Sequence, residues 1–271
     1  MRRLRYLSTL FAVGACLAHA ERARAAGLPK TQTFDSGGVK IAYSVNGQGE
    51  PVVLIHGWLS SAGVNWALPG TTARLAKDFQ VVALDLRGHG QSDKPTEEEA
   101  YGPELAEDVL RLLDHLKIEK AHLVGYSMGG IIAANLAARH PERVLSVTLG
   151  GMAWLKDRGA AQWLFSRIAK NDPDAKAHTV CGRSLAKLAL TEDEIRSIDV
   201  PVTVLVGEKD DLIKRLYVAP LEKVRSDWPI VEIKDANHIN CILKEQFQDE
   251  IVGALKRHAS AGSPKQSSRG Q

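Results

Sequence analysis

Ala121-His122-Leu123-Val124-Gly125-Tyr126-Ser127-Met128-Gly129-Gly130 runs from an apolar stretch straight into the helix-like segment Ile131 to Arg139. Gly-x-Ser-x-Gly between a strand and a helix reads as a nucleophile elbow, a turn so tight that the serine hydroxyl is thrust out of the backbone. Gly125 and Gly129 stand two residues either side of Ser127, where side chains would collide in such a turn. A Gly-Ser-Gly cluster is also an ordinary loop sequence, so the surrounding chain has to supply the context.

Upstream, Val52-Val53-Leu54-Ile55 is a continuous apolar run, the pattern of a strand buried on both faces, and it ends at His56-Gly57-Trp58. A helix is expected around Trp66 to Lys77. A strand over Phe79 to Asp85 then enters the turn-rich loop Leu86-Arg87-Gly88-His89-Gly90-Gln91-Ser92-Asp93. Leu105, Val109, Leu112, Leu113 and Leu116 recur at helical spacing and predict a helix from about Pro103 to Leu116. Val144 to Leu149, Val200 to Gly207 and Ile230 to Ile233 are further strand-like runs. Lys244 to His258 predicts a closing helix with Phe247, Ile251, Val252 and Leu255 facing inward; Thr31 to Phe34 is a strand candidate, and the alternating Val39 to Val45, ending at Asn46-Gly47, reads as a hairpin-edge strand. This alternation predicts an α/β fold, a mostly parallel, doubly wound sheet whose post-strand loops share one edge. His56-Gly57-Trp58 and Ser127 then fall at the same edge.

Residues 152–199 break the rhythm. A short helical lid is expected there, with Trp154, Trp163, Leu164, Phe165 and Ile168 in one helical segment and Ser184 to Leu190 in another; an ordinary packing subdomain fits the same residues. Residues 31–258 thus form the expected main domain, and the Ser-, Gly- and Lys-rich residues 259–271 a disordered tail.

The N-terminus reads as an export signal over residues 1–25. Arg2, Arg3 and Arg5 precede the apolar stretch Leu7 to Ala18, and small residues offer cleavage after Ala20 or Ala25. The expected location is therefore periplasmic or secreted; Val13-Gly14-Ala15-Cys16 is a weaker match to a lipoprotein anchor. Without residues 1–25 the chain keeps 30 basic and 31 acidic residues, a net charge of −1. That balance gives no reason to expect a nucleic-acid partner or an anionic membrane surface, and no stable membrane span is expected in the mature chain. Cys181 and Cys241 remain, sixty residues apart, with no spacing that fixes whether they pair. No Cys-x-x-Cys or His-x-x-x-His spacing suggests a metal site.

A serine hydroxyl needs a base within hydrogen-bond reach, and the base needs an orienting acid. On this type of sheet the order along the chain is serine, acid, histidine. His238 follows the last strand at the active edge, whereas His258 ends the last helix, so His238 is the candidate base. Asp210 and Asp211 both follow the strand ending at Gly207; the motif favours Asp210 without eliminating Asp211. The candidate oxyanion donors are the main-chain N–H groups of Met128 and Trp58, which leaves His56 a structural part in its loop.

His56-Gly57-Trp58, the Asp85 to Ser92 segment, Gly125 to Gly130, Gly207-Glu208-Lys209-Asp210 and Asn237-His238 together resemble the α/β-hydrolase superfamily, in the sub-group with a cap between the sixth and seventh core strands. The resemblance covers roughly residues 31 to 258 and implies a cofactor-free hydrolase using Ser127, His238 and Asp210. Asn237 departs from the pattern, since many relatives carry glycine before the histidine. The resemblance implies ester hydrolysis through an acyl-serine, on a small-molecule ester or lactone of small to medium acyl size. Lactonase, enol-lactonase, carbon–carbon bond hydrolase and perhydrolase activities use the same three residues, and fold alone does not choose among them. A serine nucleophile argues against dehalogenation and epoxide hydrolysis, which use an aspartate there. A non-catalytic binding protein on the same fold and a lipase working at lipid surfaces complete the alternatives.

Overall fold

The apolar runs become the centre of a single eight-stranded sheet. In a computed structural model, residues 30–156 and 174–262 are described, with side chains as far as Ala259. The expected export signal with Cys16, the segment holding Trp163, Leu164, Phe165 and Ile168, and residues 263–271 of the expected tail lie outside the described residues. The strands are β1 (Gln32–Asp35), β2 (Lys40–Asn46), β3 (Glu50–Ile55), β4 (Phe79–Leu84), β5 (Ala121–Tyr126), β6 (Val144–Gly150), β7 (Val202–Gly207) and β8 (Ile230–Ile233). Their order is β1-β2-β4-β3-β5-β6-β7-β8. The first two pair antiparallel at one edge and β3 to β8 are parallel, so the expected mostly parallel α/β sheet is the fold.

Burial on both faces explains the unbroken apolar runs. Val53 and Ile55 of β3 pack into the core that holds Leu105, Val109, Leu112, Ile131 and Leu136. Val52 and Leu54 point the other way, into the core of Trp66, Leu75, Phe247, Ile251 and Leu255. The first face is covered by helices Glu104–His115 and Met128–Arg139, the second by Thr71–Leu75 and Glu245–Gly262. Among the described residues no helix is long and apolar enough to cross a membrane.

Five local expectations need correction. Trp154, expected in a helical segment, lies buried in irregular chain just after β6. β2, expected at the sheet edge, is flanked on both sides by β1 and β4. The single helix over Trp66 to Lys77 is two short pieces, Gly63–Ala67 and Thr71–Leu75. Between them lie Pro69, which has no N–H to continue the ladder, and Gly70 at φ +89°. The closing helix continues to Gly262, past the point at which the tail was expected to begin. The stretch Ser184 to Leu190 is only a 3₁₀ turn, Leu185–Leu188, behind a longer helix, Ala175–Ser184.

That helix, called the cap helix below, is built into the core. Ala177, Cys181, Leu185, Leu188, Leu190 and Ile195 join the same cluster as the strands. Polar bonds fasten the insertion as well: Gly102 N–H donates to Ser184 Oγ at 2.9 Å, Asn135 Nδ2 to the Leu188 carbonyl at 3.3 Å, and Trp154 Nε1 to the Leu190 carbonyl at 2.8 Å.

The loop after β4 is locked by a buried ion pair. Arg87 donates through Nε and Nη2 to the two carboxylate oxygens of Asp108, at 2.7 and 2.6 Å, and Ser36 Oγ donates to the same carboxylate at 2.6 Å. Asp108 is fully buried and Arg87 nearly so. Truncating one partner strands the other charge in the core, which costs about 3–5 kcal/mol. Asp108→Ala is therefore expected to lower the urea midpoint sharply. Glu192→Ala, which breaks the exposed Glu192–Arg196 pair, should change stability by less than about 1 kcal/mol.

Candidate active site

Ser127 sits between β5 and the helix Met128–Arg139, with φ +52° and ψ −112°. A non-glycine residue at positive φ is strained, and such strain persists only where the surroundings over-determine it. Here Ser127 N–H donates to the Gly150 carbonyl at 2.7 Å, while its own carbonyl accepts from Gly130 and Ile131 at 2.9 and 3.2 Å. The two flanking glycines are dictated by contact. A Cβ on Gly125 would strike the Gly129 carbonyl oxygen, and one on Gly129 would strike the carbonyl of Ile55 in the neighbouring strand.

The other candidate residues arrive on the loops after β7 and β8. His238 Nε2 lies 3.0 Å from Ser127 Oγ, and His238 Nδ1 lies 2.8 Å from Asp210 Oδ2. Asp210 is buried; its neighbour Asp211 is exposed at the start of a helical turn, so the structure selects Asp210 as the carboxylate on His238. With the aspartate at Nδ1, that nitrogen carries the proton and Nε2 presents its lone pair to Ser127. The His238 loop is held from below, where Tyr126 Oη–H donates to the His238 carbonyl at 2.6 Å. Asn237, the departure from the family pattern, closes the loop through its side chain: Oδ1 accepts from Ile239 and Asn240 at 2.9 and 3.1 Å. Sequence reasoning missed Tyr126; its place beside the serine is visible in the sequence, its bond to His238 is not.

The loop after β3 borders the serine on the other side. β3 and β5 run in register with Ile55 opposite Gly125, which carries Gly57 to the level of Ser127. A Cβ on Gly57 would come within 3.4 Å of Ser127 Cβ. Asn65 Oδ1 anchors this loop by accepting from Gly57 N–H at 2.7 Å. Trp58 follows immediately, and Met128 opens the elbow helix, where a first-turn N–H has no acceptor within the helix.

Polar groups behind the loop belong to its support. His56 Nε2 accepts from Leu86 N–H at 3.0 Å and Nδ1–H donates to the Gly57 carbonyl at 2.7 Å, so both ring nitrogens are spent on structure. The Asp85 carboxylate accepts from Ala62 and Gln91 N–H, each at 2.8 Å, and ties the two loops together. Burial holds His89 well below the usual histidine range, and the neighbouring His56 and His178 rings push it the same way. Burial also lowers His56, against the opposing pull of Asp85. Among the described residues, no group of three or more His, Cys, Asp or Glu side chains is placed to hold a metal ion.

A family model described as the alpha/beta hydrolase fold matches residues 50–194. A dihydrolipoyllysine-residue acetyltransferase component of the acetoin cleaving system from Pseudomonas putida is 39% identical over 149 residues, which make up 54% of this chain and 39% of that relative. The chain thus spans about two fifths of that relative's length. A pimeloyl-[acyl-carrier protein] methyl ester esterase from Aeromonas hydrophila is 42% identical over 249 residues, covering 76% of this chain and 95% of the relative. Among solved structures, the enol-lactonase from Burkholderia xenovorans superposes with a TM-score of 0.68 at 26% identity, covering 83% of this chain and all of the other.

Cys181 and Cys241 are buried and free, so they do not pair. Burial raises the Cys181 thiol far above its ordinary range and pushes Cys241 up to about 12. The thiolate is the reactive form, and at pH 8 neither residue supplies it. Iodoacetamide at pH 8 should leave both unmodified in the native protein and alkylate both after denaturation, as read by peptide mass spectrometry.

Proposed function

The chain belongs to the α/β-hydrolase family, and from that premise we propose that it hydrolyses a carboxylic ester of small to medium acyl size through an acyl-serine intermediate. The observation that carries this reading is the hydrogen-bonded line from Asp210 through His238 to a strained Ser127, with steps of 2.8 and 3.0 Å. Ser127 Oγ bonds to the ester carbonyl carbon as its proton passes to His238 Nε2. Asp210 holds the ring in the required tautomer and stabilises the imidazolium that forms. Collapse of the tetrahedral species breaks the carbon–oxygen bond to the alcohol, which leaves with the proton from Nε2. Water, deprotonated by the same nitrogen, then attacks the acyl-serine; the carboxylic acid departs and Ser127 regains its proton.

The negative oxygen of each tetrahedral species is assigned to the main-chain N–H groups of Trp58 and Met128. One such donor is worth on the order of 3 kcal/mol of barrier. Leu59, Leu212 and Ile239 are exposed and stand within two residues of Trp58, Asp210 and His238, which supports an apolar group on the substrate. Similarity to the esterase over nearly its full length supports the ester reading. The likeness to an enol-lactonase favours a lactone, an intramolecular ester, as the second reading.

Turnover of p-nitrophenyl esters of graded acyl length beside a set of lactones tests the proposal and orders the two substrate classes. Wild-type protein is expected to hydrolyse the shorter esters, and Ser127→Ala to lose about 10⁴-fold or more in kcat. No turnover by the wild type, or full turnover by Ser127→Ala, would overturn the reading.

A further inference from the structure

We propose that the cap helix Ala175–Ser184 holds the oxyanion donors in position, because both residues assigned to the oxyanion are fastened to it by their side chains. The inference rests on the assignment of Trp58 and Met128 above. An oxyanion donor is a main-chain group, so donation alone does not dictate the side chain at either position. At both positions the side chain nevertheless goes to one helix. The Trp58 indole Nε1–H donates to the His178 carbonyl at 3.0 Å. The Met128 thioether, fully buried, receives the Cys181 thiol at 3.8 Å between sulfurs. His178 and Cys181 are three residues apart and therefore lie one above the other on a single helical face.

The helix that receives these side chains is itself anchored to the main domain. The His178 ring packs on His89, with centroids 4.5 Å apart, and His89 Nδ1–H donates to the Arg87 carbonyl at 3.1 Å. At its other end Ser184 Oγ accepts from Gly102 N–H and donates to the Cys181 carbonyl. The cap helix is thus a strut from the loop after β4 to the two sides of the oxyanion site. A shift of this helix moves the loop after β3 and the elbow together. Misplacement of catalytic groups by 1 Å is enough to cost about 10²-fold in rate.

Trp58→Phe removes the indole donor and keeps both the ring and the main-chain N–H; Cys181→Ala removes the sulfur contact from the opposite side. Each variant is compared with wild type for p-nitrophenyl ester turnover, for inhibition by phenylboronic acid, which forms a tetrahedral adduct on a serine oxygen, and for inhibition by benzoate, which stays trigonal. Loss of one hydrogen bond of ordinary net strength corresponds to about fivefold. Trp58→Phe is expected to lose about that factor in kcat and the same factor in boronic acid affinity, and Cys181→Ala, which removes a weak thiol–thioether contact, a smaller but parallel loss in both, with KM and benzoate inhibition unchanged in each. Folded variants with wild-type kcat and boronic acid affinity would overturn the role of the cap helix while leaving the hydrolase reading intact. Equal losses in boronic acid and benzoate binding would also overturn it, since a general loosening of the pocket does not discriminate the tetrahedral form. A wild type that neither turns over esters nor binds the boronic acid would instead overturn the hydrolase reading.

Discussion

The backbone of Gly129 lies against the carbonyl oxygens of Ile55 and His56, with no room for even a Cβ between the start of the elbow helix and the end of β3. This contact fixes how far the loop after β3 stands from Ser127. It also leaves the turn at 125–129 few conformations, so that Ser127 is held at φ +52°. Strain of that kind costs on the order of 1–3 kcal/mol, and the main-chain bonds that flank Ser127 and the buried neighbours on both faces of β5 oppose its release. Strand order depends on the same approach, since only a strand directly beside β5 can present its carbonyls to the helix that follows β5.

A second tier of order comes from buried polar groups that serve the loops. Asp85, His56, Arg87 and Asp108 are all buried, and each spends its hydrogen-bonding capacity on main-chain or side-chain partners a loop away. Loops carry the site because they can vary, and irregular backbone at a sheet edge needs such partners to have one conformation. The Asp85 to Ser92 segment, read by motif as part of the hydrolase pattern, is therefore scaffolding: Ser92 Oγ accepts from Ala42 N–H and donates to the Asp85 carbonyl, which stitches β2 to the loop after β4.

What the sequence made legible is what its local rules control. Doubly buried strands announce themselves as apolar runs, and the elbow announces itself because two glycines are forced by contact. The choice between Asp210 and Asp211 was open because adjacent residues differ only in where a turn points them, and burial of Asp210 is a tertiary fact. The cap helix was missed for a related reason. Its sequence, Ala-Lys-Ala-His-Thr-Val-Cys-Gly-Arg-Ser, buries Ala177, His178, Cys181, Gly182 and Ser184, small or polar residues without the large side chains of an apolar stripe. Its stability comes from partners far away in sequence, among them Gly102 and Met128. The indole bond of Trp58 to that helix spans 120 residues and leaves no local signature.

The three residues of the proposed chemistry are anchored to different degrees, and the order follows what each has to do. Ser127 is fixed by backbone contact, and Asp210 is fixed by burial, its carboxylate 6% exposed. The His238 side chain is 37% exposed on a loop tied down by the Tyr126 hydroxyl and the Asn237 turn. A nucleophile has to stand still relative to the oxyanion donors, because the bond-forming geometry is narrow. A base that first takes the serine proton, then gives it to the alcohol and afterwards serves a water must reach more than one oxygen with the same nitrogen. Pinning His238 through its main chain while leaving the ring edge open meets that requirement. The acid fixes one end of the ring and the other end keeps its freedom of approach.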